Sequence, residues 1–201
     1  MSDRAGWDEV GDAGAPGSAA LRGRLLVATP LLGDPNFDRT VVLLVEHGDE
    51  GALGLVLNRP SELPVAEVLP QWRERAAAPG AMFLGGPVQP SAVICLARAE
   101  GPVGVDAPLT PTAVPGISLL DLDGDPDAVP VGVELRCFAG YSGWSEGQLE
   151  GEIDEGAWFV VDPRPDDPFV PRPSELWRQV LARQPGRLAR YALYPPDPGV
   201  N

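Results

Sequence analysis

The chain has 201 residues, 44% apolar and 22% charged, enough for one sizeable hydrophobic core and too poor in charge for a disordered chain. Fifteen arginines and no lysine stand against 29 acidic residues, giving a formal net charge of -14 that repels nucleic acid and anionic lipid unless the arginines gather on one face. There is no run of about 18 apolar residues and no basic leader followed by an apolar stretch. The expectation is a soluble, cytoplasmic protein with no membrane association and no direct nucleic-acid binding.

After Met1, residues 1–20 carry Trp7 and Val10 as their only sizeable apolar side chains and read as a flexible acidic tail. A single domain is expected over 21–195, with a proline-rich segment near 100–116 and a short tail at 196–201. "GRLLVATP" reads as a strand ending before Pro30, and "LLGDPNFDR" supplies turn chemistry. "TVVLLVE" and "ALGLVLN" flank the connection "HGDEG" as a hairpin, which Asn58, Arg59 and Pro60 terminate. Val65, Val68, Leu69 and Trp72 keep helical spacing, and Pro70 divides them into two consecutive segments.

"AMFLGGPV" and "SAVICLAR" return to strand patterns, whereas four prolines between Glu100 and Pro115 indicate an extended covering loop. "GISLL" is a further short strand before an acidic turn. In "VGVELRCFAG", Val131, Val133, Leu135 and Cys137 share one face, and Gly132, Glu134, Arg136 and Phe138 form an opposite, partly wet one. "GAWFVVD" is another strand. Ser174 is placed to cap a helix carrying Leu176, Trp177, Val180 and Leu181, and "RLARYALY" is read as a late edge strand. Short strands mixed irregularly with helices predict an α+β fold. Cys95 and Cys137 belong to no metal-binding cluster and are expected as reduced core thiols.

The stretches "GRLLVATPLLGDPNFDRTVVLLVEHGDEGALGLVLNRP", "FLGGPVQP" and "AGYSGWSEGQLEGEI", in that order, resemble the bacterial YqgE/AlgH family from about Gly23 to Tyr194. The resemblance implies a compact mixed sheet, bifurcated or barrel-like, with flanking helices, and assigns no catalytic role. It marks His47, Gly48, Gly51, Gly54, Asn58, Arg59 and Pro60, then Gly85, Gly86 and Pro87. The last motif adds Gly140, Gly143, Trp144, Gly147, Gln148, Leu149, Glu150 and Glu152. Some members carry a transcriptional-regulator name, to which an acidic chain lends no physical support. Many members end the strand after the GGPV motif with a histidine; here that stretch is "VICLARA", which weakens any mechanism needing it.

No catalytic, cofactor-binding or metal-binding residue is assigned. His47 is the single histidine, placed in the hairpin connection as an exposed or turn-stabilising residue, with proton transfer as the lesser alternative because no nucleophile or orienting acid is assigned to it. Asn58 and Arg59 either present an amide and a guanidinium to a ligand or tie the strand end to neighbouring backbone. Gly85 and Gly86 allow close backbone approach without forming a nucleotide cradle. Tyr141, Trp144 and Gln148 either line a pocket or support core and loop. A helix beyond Trp144 would align Glu146 with Glu150 and Leu149 with Ile153, whereas a strand would align Glu150 with Glu152. The leading expectation is a non-enzymatic binding or regulatory-interaction protein for an unidentified protein or small molecule. The alternatives are a small-molecule enzyme or hydrolase using Arg59 with Glu146, Glu150 or Glu152, and a transcription-associated regulator.

Overall fold

The computed structural model describes residues 21–30, 32–99, 101, 104 and 106–194; the expected tails at 1–20 and 196–201 lie outside them. Ten strands form a curled, mainly antiparallel sheet. They are β1 (Leu25–Ala28), β2 (Val41–Gly48), β3 (Gly51–Val56), β4 (Pro60–Pro64), β5 (Ala81–Leu84), β6 (Val88–Arg98), β7 (Leu109–Pro111), β8 (Ile117–Leu120), β9 (Glu134–Trp144) and β10 (Trp158–Val161). The order is β10-β1-β2-β3-β9-β6-β8-β7, with the β4–β5 pair attached to β9 through β5. The helices are α1 (Val65–Val68), α2 (Gln148–Asp154), α3 (Leu176–Ala182) and α4 (Leu188–Tyr191). This is the α+β architecture with a bifurcated, barrel-like sheet that the family resemblance implies.

The branch point lies on β9. One edge of this strand pairs antiparallel with β6, while the other pairs in parallel with β5 at Phe138 and Ala139 and antiparallel with β3 from Ser142 to Trp144. The Gly85 carbonyl closes the fork, accepting the Val56 N–H at 3.0 Å and the Ser142 hydroxyl at 3.2 Å. Such proximity requires glycine. A Cβ on Gly86, whose φ is +153°, would lie 2.3 Å from the Tyr141 carbonyl carbon, and one on Gly140 would lie 2.7 Å from Gly86 O.

The apolar run of β2 is buried on both faces, as its lack of alternation requires. Val41, Leu43 and Val45 enter one core with Leu176, Trp177, Val180 and Leu181 of α3, while Val42 and Leu44 enter another with Trp144, Leu149 and Trp158. A third core joins Val65 and Trp72 to Met82, Leu120 and Leu135. The predicted interruption at Pro70 divides α1 from a 3-10 turn over Pro70–Arg75.

Several expectations are corrected. "RLARYALY" forms α4 instead of an edge strand, its Tyr191 packing against Phe159 at 5.0 Å. The proline-rich segment contributes β7, which pairs with β8. Ser174 lies in a 3-10 turn preceding α3 and makes no cap. Val131 is fully exposed before β9 begins, whereas Arg136 and Phe138 on the supposedly wet face are buried because β5 and the loop carrying Phe169 cover them. Cys95 and Cys137 are buried as expected but joined in a disulfide. Register explains the bond: the two residues oppose each other across β6 and β9 with Cα atoms 4.2 Å apart, a relation that sequence separation conceals.

Candidate functional site

The first and third family motifs converge around α2. Where β2 meets β3, Leu44 pairs with Gly54 but Glu46 pairs with Leu53, so Val45 is an extra residue in the strand. This bulge reverses the alternation and brings His47 opposite Ala52, on the α2 side of the sheet. The turn is consequently shorter than "HGDEG" suggests. His47 belongs to β2, its side chain is only 1% exposed, and its Nε2 lies 3.0 Å from Glu150 Oε1. Of the two expectations for His47, exposed or turn-stabilising, the exposed one is therefore corrected.

Beyond Trp144 the chain turns at Gly147 and becomes helical, leaving Glu146 exposed before the helix. Leu149 is buried and Ile153 packs beside the same core. The two motif carboxylates diverge from there. Glu150 meets His47, whereas Glu152 Oε2 accepts the indole N–H groups of Trp144 at 2.9 Å and Trp158 at 2.8 Å. Gln148 joins this network by donating to Glu152 Oε1 at 3.0 Å, while its own Oε1 accepts from the backbone N–H and hydroxyl of Ser145 at 3.1 Å. Both indoles are buried, so the carboxylate satisfies two donors that the core would otherwise strand.

The NRP motif reaches the same cluster through one aromatic ring. Asn58 accepts the Val41 N–H at 2.9 Å and donates to the Arg39 carbonyl at 2.8 Å. Arg59 donates to the Pro35 and Asp38 carbonyls at 3.1 and 3.2 Å. Together they hold the loop that places Phe37 against Trp144 and Trp158, with ring centroids 6.2 and 5.4 Å apart. The indoles lie edge to face at 6.1 Å. Tyr141 packs in the α3 core on the opposite side of β9, so it shares no pocket with Trp144 and Gln148. Gly85 and Gly86 belong to the sheet fork. Arg59 holds the Phe37 loop, while Glu150 and Glu152 engage His47 and the two indoles. A cavity of about 360 Å³ lies elsewhere, lined by Glu74, Arg75, Ala76 and residues 131–134.

Phe37, Ser145 and Trp158 are members of this frame that the sequence reading did not single out. The local sequence places Trp158 on a strand, and only the packing of β10 beside α2 identifies its hydrogen-bond partner. Among the described residues, no group of His, Cys, Asp or Glu has a metal-binding arrangement, and no helix is long and apolar enough to cross a membrane.

A family model described as AlgH-like matches residues 25–189. A UPF0301 protein of Streptomyces avermitilis is 50% identical over 186 residues, covering 91% of this chain and 96% of its own length. A UPF0301 protein of Thermobifida fusca is 48% identical over 190 residues, covering 90% and 96%. Among solved structures, a crystal structure of a Corynebacterium diphtheriae protein superposes with a TM-score of 0.79 at 30% identity, covering 90% of this chain and 95% of the other. The solution structure of AlgH from Pseudomonas aeruginosa gives a TM-score of 0.63 at 30% identity, covering 90% and 97%. Matched over most of its length in both sequence and fold, the chain belongs to the AlgH-like, UPF0301 family.

Proposed function

We propose that this protein is a non-enzymatic binding or regulatory-interaction protein whose family motifs build a rigid recognition scaffold. The observation that carries this reading is the reciprocal engagement of the motif's polar groups. Glu152 takes two indole N–H groups and one amide, Glu150 takes His47, and Asn58 and Arg59 hold backbone. Glu152 spends its acceptors on two buried indoles and on Gln148, which supports a structural role for the carboxylate. The partner is a protein or small molecule, the setting is cytoplasmic, and the acidic charge disfavours direct contact with DNA.

The test is an equilibrium binding screen of the full chain against fractionated bacterial proteins and metabolites, run beside a panel of ester, phosphoester and amide hydrolysis assays. A saturable partner whose affinity survives Glu150→Gln, with no turnover, is the expected result. Turnover abolished by Glu150→Gln or Glu152→Gln in a folded variant would establish the hydrolase alternative instead.

A further inference from the structure

A sheet that does not close leaves strand edges whose outward N–H and C=O groups can pair with another chain, and proteins ordinarily guard them with proline, charge or a covering element. Among the described residues the free edges here are β4, β7 and β10, each paired with one neighbour alone. Two of them are guarded. β4 begins and ends in proline, at Pro60 and Pro64, and β7 ends in Pro111. β10 reads Trp158, Phe159, Val160, Val161, with neither proline nor charge.

Register decides which groups β10 turns outward. Thr29 donates its N–H to the Ala157 carbonyl at 3.0 Å, in line with the Val27–Phe159 and Leu25–Val161 pairs. Ala157, Phe159 and Val161 therefore aim their backbone groups at β1, and Trp158 and Val160 aim theirs away from the sheet. The outward N–H and C=O of Val160 meet no partner among the described residues. The α4 side of this edge is apolar. Phe159 packs against Tyr191 at 5.0 Å and Tyr191 against Tyr194 at 6.0 Å, while Tyr194 and the neighbouring Leu193 are exposed.

We propose that β10 is the contact strand of a symmetric dimer, in which it pairs antiparallel with the same strand of a second copy. A two-fold axis at Val160 lets this residue exchange both hydrogen bonds of a narrow pair with its own counterpart, and sets Trp158 opposite Asp162 of the partner subunit. The same register carries the acidic turn at Asp154 and Glu155 toward Arg164 of the partner subunit, so opposite charges meet at both ends of the joint. Parallel pairing would set the two acidic turns side by side. Asp162 is neutralised within its own copy by Arg24 at 2.9 Å. A contact strand of 4 residues, flanked by Leu193 and Tyr194, makes a small interface of the weak, reversible class.

Sedimentation equilibrium of the full chain from ~1 μM to ~1 mM tests the dimer, at about 0.15 M salt so that the net charge of -14 on each copy is screened. Monomer and dimer should exchange with concentration and no larger species should form. In 1H–15N spectra the Val160 amide should exchange about tenfold more slowly at the top of this range than at the bottom, while that of Phe159, already bonded to β1, changes little. Val160→Pro removes an outward N–H and no bond of the β1–β10 ladder, so it should weaken dimerisation by about tenfold or more at a nearly unchanged Tm. Val160→Lys, which places a charge on the edge, should do the same should the proline variant fail to fold. A monomer throughout the range, a dimer that persists in the folded Val160 variants, or assembly beyond the dimer would overturn the proposal. Val160 makes none of the motif frame's hydrogen bonds, so the dimer and the scaffold reading stand or fall separately.

Discussion

Glu152 is the residue on which the motif frame depends most. Its carboxylate accepts from Trp144, Trp158 and Gln148, and Glu152→Ala would leave two buried indole N–H groups without a partner. Stranding buried donors costs about 1–3 kcal/mol each at most, and partial rehydration brings the expected loss to about 2–3 kcal/mol by urea denaturation. Asn58→Ala removes both bonds that close the Phe37 loop and should cost about 1–2 kcal/mol in the same assay. Arg136 has the opposite sign. Its folded-state pKa of about 10 lies below the ordinary guanidinium range, so the unfolded state holds the proton more tightly and the charge opposes folding at neutral pH. That penalty fades only as pH rises through about 10 and above, so the stability difference between wild type and Arg136→Met should stay constant from about pH 6 to 8.5. A difference that varies across this window would show that another titrating group is coupled to Arg136.

At the scale of elements, the glycines of the fork and the disulfide make the clearest demands. Gly86→Ala forces a Cβ against the β9 backbone at a positive φ and should destabilise by more than about 2 kcal/mol, whereas Gly151→Ala in α2 meets nothing within 4 Å and should stabilise by about 0.5–1 kcal/mol. Thermal denaturation of the two variants checks the contrast. Replacing Cys95 and Cys137 by alanine should cost about 2–4 kcal/mol in the oxidised protein. The compartment enters here, because cytosolic thiol systems keep such pairs reduced. Acid-quenched cells should yield two alkylatable cysteines if the proposed cytoplasmic setting holds, and none if the bond is permanent in vivo.

The elements readable in sequence were those with an uninterrupted local pattern. The apolar β2 run, the α3 stripe and the break at Pro70 each follow from neighbouring residues. Ser174 and "RLARYALY" misled because an available cap is not necessarily used and because Tyr191 packs against Phe159 through helical geometry. The bulge at Val45 left no distinctive residue behind, and it alone brings His47 to Glu150.

For the whole molecule, two of the three separated sequence motifs meet in one hydrogen-bonded and aromatic frame spanning β2, β9, β10, α2 and the Phe37 loop, while the glycine motif between them closes the sheet fork. The motifs themselves were visible as residues, and the family resemblance placed them in a barrel-like α+β fold. Their connection was not visible, since Phe37 and Trp158 join them through long-range packing. That connection is most directly tested by indole N–H exchange, measured in 1H–15N spectra of the wild type, Glu152→Ala and Arg59→Ala. In the wild type the Trp144 and Trp158 signals should both exchange slowly. Both should lose protection in Glu152→Ala, and both should shift together in Arg59→Ala through the Phe37 loop. Rapid exchange in the wild type, or indoles that respond independently, would contradict a single closed frame.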